Sequence, residues 1–131
     1  MMWRDGVRQA LDASDALVIS PATERSNTFG DGVFETMLMN ESGIFRLDFH
    51  LDRLKQGLQC LQLDTDVDDV LEDLRAVHRH CFSPSAMATN SDEASRFIVK
   101  LLVSRGHTTW GYSVASAKDV RYLLARRSGL Y

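Results

Sequence analysis

At 131 residues, the chain is long enough for one domain with a real hydrophobic core. Its composition is that of an ordinary globular protein: 44% apolar, 25% charged, net charge −3. That balance argues against a nucleic-acid binder, which carries a basic face or stripe. The sequence has neither an apolar run of the roughly 18 residues a membrane span needs nor a charged-then-apolar leader, so a cytoplasmic protein with no membrane or nucleic-acid partner is expected.

In chain order, Trp3 to Ala10 reads as a small hairpin around Asp5-Gly6, and 11–28 as irregular, with an apolar patch at Leu17-Val18-Ile19 and a turn at Ser20-Pro21. Next comes Phe29-Gly30-Asp31-Gly32-Val33-Phe34-Glu35-Thr36-Met37. The backbone is expected to turn sharply at Gly30 and Gly32 and then extend through Met39. Rings beside such a corner can wall a small-molecule pocket, although corners of this kind also simply start strands. A turn at Asn40-Glu41-Ser42-Gly43 and a resumed strand from Ile44 to Leu47 complete a hairpin.

A helix follows, with Asp48 as its expected N-cap and Leu51, Leu54, Leu58 and Leu61 at three- and four-residue spacing. Asp64-Thr65-Asp66-Val67-Asp68 imitates the start of a calcium loop but has Asp69 where the loop needs Gly and Arg75 where it needs Glu. The acidic cluster fits better as the capped start of a second helix, from about Val67 to His80. His78-Arg79-His80-Cys81 lacks further ligands nearby, so exposed histidines at a helix end are expected and no metal site. Cys60 and Cys81, unpaired by spacing, read as reduced, partly buried thiols.

Ser83 to Glu93 is small and polar, a surface loop by composition. Arg96 to Arg105 alternates Phe97, Val99, Leu101 and Val103 with Ile98, Lys100 and Leu102, and Asp119 to Arg127 alternates similarly. About five strands with two helices gathered in the middle imply an α+β two-layer sandwich: a mostly antiparallel sheet with two helices on one face.

The glycine corner with Val33-Phe34-Glu35, the hairpin, and His50-Leu51-Asp52-Arg53-Leu54 together resemble the N-terminal domain of the class IV (fold-type IV) aminotransferase family of pyridoxal-phosphate enzymes. Val99 to Gly106 followed by Gly111-Tyr112-Ser113 resembles a second block of that family. The wording of the corner is closest to its aminodeoxychorismate lyase and D-amino-acid branches. The resemblance implies the small domain of the D-amino-acid aminotransferase-like fold over 1–131, with pyridoxal 5'-phosphate as cofactor and a homodimer as assembly.

It further implies that Arg53 contacts the cofactor phosphate, whose dianion suits a guanidinium fork. Phe29 and Phe34 would present rings to the substrate pocket, and Arg105 would either reach a substrate carboxylate or pin the loop. Trp110 stands where lyases and D-amino-acid enzymes carry an arginine, and an indole cannot make a charge-assisted pair; His107 would substitute in part. None of Lys55, Lys100 and Lys118 has the context of the family's Schiff-base lysine, which belongs to the C-terminal catalytic domain, absent here. The chain alone is therefore expected to be inactive, with no catalytic residue of its own.

The activity implied is that of 4-amino-4-deoxychorismate lyase, which eliminates pyruvate and leaves p-aminobenzoate for folate biosynthesis. The alternatives are a D- or branched-chain amino-acid transaminase fragment, or a noncatalytic dimerisation or ligand-binding module.

Overall fold

The computed structural model describes residues 1–9, 24–87, 95–107 and 117–128. Its centre is three antiparallel strands: β3 (Gly32–Asn40), β5 (Phe97–Ser104) and β6 (Val120–Arg127). Their period-two alternation selects one apolar face. Register places Met37 beside Val99 and Val99 beside Ala125, and likewise Glu35 beside Leu101 and Leu101 beside Leu123. The N-terminal hairpin, β1 (Met2–Arg4) and β2 (Val7–Gln9), continues the sheet past β6, and β4 (Gly43–Ile44) closes the far edge. Among the described residues the order is β2-β1-β6-β5-β3-β4, six strands in place of the expected five or so.

Two helices cover the apolar face. These are α2 (Leu47–Leu61), which contributes Leu54 and Leu58 to the core, and α3 (Val67–Cys81), which contributes Val70, Leu74 and Val77. Burying each of these aliphatic side chains is worth roughly 1.5–3 kcal/mol, and the same set locks both helices onto Met39, Phe97 and Val103. Helix α3 starts as expected: the Asp66 carboxylate accepts from the Asp68 amide at 2.9 Å, and Asp68 and Asp69 lie in the positive first turn. Midway along it the Arg121 guanidinium of β6 donates to Asp73 at 2.6 Å, tying helix to sheet.

The sheet's other face lies away from the helices. Along it run Phe34, Leu38 and Ile98, respectively 63%, 41% and 39% exposed, with Lys100 and Leu102 between them. The arrangement is the expected α+β two-layer sandwich.

Three local expectations are corrected. Helix α2 begins at Leu47, with Arg46 at the N-cap in the left-handed region (φ 53°) and no side-chain cap; Asp48 lies in the first turn, where it complements the dipole. The strand after the Gly43 turn is consequently only two residues long. From the end of the 11–28 stretch, residues Arg25–Phe29 form a one-turn helix α1 that ends on left-handed Gly30 (φ 64°), and Pro84–Met87 forms another single turn, α4, inside the expected loop. His78 and His80 are half-buried, not exposed: Trp3 packs edge-on to the His80 ring, and His78 Nε2 donates toward the carbonyls of Asn40 and Glu41 at 3.1 and 3.0 Å. The Leu17-Val18-Ile19 patch, the Ser20-Pro21 turn and Trp110 lie outside the described residues.

Candidate functional site

The corner between α1 and β3 is built by close backbone approach. A Cβ on Gly32 would sit 2.9 Å from the Val103 carbonyl oxygen and 3.1 Å from Ser26 Cβ, so only glycine lets α1 fold over β5 here. Gly106 turns with φ 82° and lies hard against the Lys118 carbonyl. Asp31, between the two corner glycines, accepts from Arg25 Nε at 2.7 Å and from Arg105 Nε at 2.8 Å on one oxygen, Oδ2. Burial alone would raise the Asp31 carboxyl, but the hydrogen bonds from Arg105 and Arg25 outweigh it and hold the group below the usual carboxylate range.

Arg105 then reaches the C-terminal end of α2, donating to the carbonyl of Leu61 and, at 3.3 Å, to that of Gln62. These are unpaired helix-end acceptors, so the guanidinium both satisfies them and complements the dipole. Behind the corner, fully buried Glu24 accepts from the Ser104 hydroxyl on Oε1 and from Tyr122 OH at 3.2 Å on Oε2, and His107 Nε2 lies 3.5 Å from that same Oε2. Burial first, then the Glu24 charge, pushes Tyr122 up to about 12.

A second cluster lies where β3 passes under α2. Glu35 is 2% exposed and belongs to the core-facing row with Met37 and Met39. Its Oε1 accepts from Arg53 Nε at 2.7 Å; its Oε2 accepts from Arg53 Nη2 and from His50 Nδ1, both at 2.7 Å. The hydrogen bond from Arg53 is the main reason that the Glu35 carboxyl stays below its usual range in spite of burial, with His50 assisting. Arg53 itself is 70% exposed and borders an open cavity of about 590 Å³, whose lining includes Arg46, Phe49 and His50. Arg46 stacks on the Phe49 ring at 3.8 Å. Among the described residues, two guanidiniums and an imidazole line this volume beside the Asp52 carboxylate, with Glu35 paired behind Arg53 and His50; the guanidinium hydrogens that Glu35 leaves over are donors suited to a phosphate dianion.

The sequence-predicted residues thus fall in three places. Arg53 belongs to the α2 cavity. Phe34, adjacent to Glu35 in sequence, points to the opposite, open face, with the Lys100 ammonium 5.2 Å from its ring. Phe29, at the end of α1, stacks under the Arg25 guanidinium at 4.6 Å, and it shares the corner with Arg105 and His107. Glu35, His50, Asp31 and Glu24 went unassigned in the sequence. For Glu35 a signal existed: strand alternation puts it on the face of Met37 and Met39, and a buried carboxylate demands a partner.

A profile of the class IV amino-transferases matches residues 32–128, and the chain belongs to that family. It is 26% identical to 4-amino-4-deoxychorismate lyase from Pseudomonas aeruginosa, with a TM-score of 0.72 over 100% of this chain and 41% of that one. The fold is shared with a hypothetical aminotransferase from Mycobacterium tuberculosis in its PLP-bound form (20% identity, TM-score 0.70, 96% and 39% covered). It is shared likewise with the branched-chain amino acid aminotransferase of Escherichia coli (19% identity, TM-score 0.68, 99% and 40% covered). The chain therefore spans about two fifths of the solved chains it matches and carries the small-domain fold of a family of PLP-dependent aminotransferases and lyases. Among the described residues, no helix is long and apolar enough to cross a membrane.

Proposed function

We propose that this chain is the N-terminal, cofactor-phosphate side of a 4-amino-4-deoxychorismate lyase that releases pyruvate and p-aminobenzoate. The observation that carries the reading is the Arg53 fork beside an open cavity, in a chain that aligns over its whole length with a lyase of that activity. In the proposed enzyme Arg53 binds the cofactor phosphate through the guanidinium edge that Glu35 leaves over. When bound, pyridoxal phosphate supplies the electron sink for charge left on a substrate carbon after proton loss.

The remaining residues lie outside the Arg53 cavity. Phe34 is on the open face of the sheet, paired with Leu102 and with the Lys100 ammonium 5.2 Å from its ring, and there it offers an aromatic surface to a substrate. Arg105 holds the corner in register through Asp31 and the end of α2. His107, half-exposed with Nε2 toward Glu24, offers a substrate carboxylate its Nδ1–H when the ring is an imidazolium. Lys55, Lys100 and Lys118 take no part in proton transfer, so the lysine that does so comes from a catalytic domain outside 1–131. A cytoplasmic homodimer completes the proposal.

The test is to purify the protein at its native length from its own cell and assay it with 4-amino-4-deoxychorismate and no keto-acid acceptor. Pyruvate release is the expected result. Turnover that appears only when a keto acid is added would replace the lyase by a transaminase, because transamination needs that acceptor.

A further inference from the structure

We infer that Glu35 is the positioning residue that aims Arg53 at an anionic ligand; the inference rests on the phosphate-contact reading above and deepens it. An arginine as exposed as Arg53 would ordinarily sample many rotamers and lose that freedom on binding. Here two of its nitrogens, Nε and Nη2, are docked on the two oxygens of one carboxylate that is itself 3% exposed. The carboxylate cannot follow the arginine outward, because β3 is held by β5 on one side and by α2 above. The plane of the guanidinium is therefore fixed before any ligand arrives. What remains for the ligand is the opposite edge: both hydrogens of Nη1 and one of Nη2, a fork that matches two phosphate oxygens.

His50 sits one turn before Arg53 on α2, and its Nδ1 occupies the remaining site on Oε2. Oε2 thus takes a donor from each of the two side chains, and Oε1 takes one from Arg53 alone. A hydrocarbon at this inward position would continue the Met37 and Met39 row without the cost of burying a charge. The carboxylate there fixes two side chains of α2 at the rim of the same cavity. Preorganisation of this kind raises affinity by removing an ordering cost and adds no contact to the ligand.

The test uses the native-length protein, freed of cofactor, with inorganic phosphate as probe, followed by NMR of the arginine side chains. In the unsubstituted protein, Arg53 should show a protected Nε–H and separate Nη1 and Nη2 signals, all shifted by phosphate. Glu35→Gln, which keeps the shape and removes the charge, should merge the Nη signals and weaken phosphate binding about tenfold. Retention of both the split signals and the affinity in Glu35→Gln would overturn the inference. Should Glu35→Gln not fold, Arg53→Lys keeps the charge and loses the fork: about tenfold weaker binding is expected, and unchanged affinity overturns the proposal equally. Failure of the phosphate-contact reading looks different, as a split Arg53 signal in the unsubstituted protein that phosphate does not move.

Discussion

Asp31 holds Arg105 by a single oxygen, at 2.8 Å, and that same oxygen already carries Arg25 at 2.7 Å. One carboxylate thus pairs with two largely buried guanidiniums and ties α1, the start of β3 and the loop after β5 into one corner. Asp31→Asn leaves both arginines without an anion, and the expected loss is about 2–3 kcal/mol of stability, read as a lower urea midpoint with unchanged slope. The pH dependence has the same origin. The folded-state pKa values of Asp31 and Glu35 are both lowered, so their contribution is fully present above the ordinary carboxylate pKa. It is lost as pH falls below that range and through the depressed folded values. Acid unfolding should therefore begin below about pH 4, and Asp31→Asn should flatten the acid limb of the stability curve.

Gly57 of α2 faces Val33 of β3, and a Cβ there would meet Val33 Cγ1 at 2.8 Å. Gly→Ala inside a helix ordinarily stabilises by about 1 kcal/mol. Here the sign should reverse, to a loss of about 1 kcal/mol or more, because a branched strand residue has no free rotamer to yield. In a Val33→Ala background Gly57→Ala should return to stabilising, and the double-mutant cycle measures the contact directly. A stabilising Gly57→Ala in the unsubstituted protein would show that α2 rides higher over β3 than the structure has it.

How far the sequence could be read follows from which interactions are local. The alternation in β5 and β6, the leucine spacing of α2 and the acidic start of α3 are written within a few residues of themselves, and these elements formed as expected. The helix Arg25–Phe29 left no such trace: one turn has no periodicity, and it is held by Asp31 and the Gly106 carbonyl, 75 or more residues away in the latter case. Arg105 shows the same limit for the site. Its position after an apolar strand suits either a ligand or a loop contact, and the ends of its reach, Asp31 and the carbonyls of Leu61 and Gln62, are fixed only by the packing of α2 against the sheet. Glu35 was the opposite case, legible from alternation alone once a carboxylate on the core face is taken to require cations.

The two thiols should differ sharply in reactivity. Cys60 is exposed, whereas Cys81 is fully buried beneath the sheet and burial pushes its thiol up to about 11. Since the thiolate is the nucleophile, a disulfide reagent at about pH 8 should titrate one thiol per chain rapidly in the folded protein and the second only on denaturation. Rapid reaction of both would mean that the end of α3 opens readily in solution.

Arg53→Ala tests the site from the ligand side. Removing the guanidinium takes the phosphate fork away and also leaves Glu35 buried with His50 as its remaining partner. Two effects should therefore appear together. Affinity for pyridoxal phosphate, measured with the native-length protein by its absorbance, should fall about tenfold or more. The melting temperature should fall as well, because an under-satisfied buried carboxylate is costly. A second substitution separates them: Glu35→Leu in the Arg53→Ala background removes the stranded charge and continues the apolar row of Met37 and Met39. It should restore the melting temperature and leave cofactor affinity low. Restored affinity would show that Arg53 serves the fold and does not hold the phosphate.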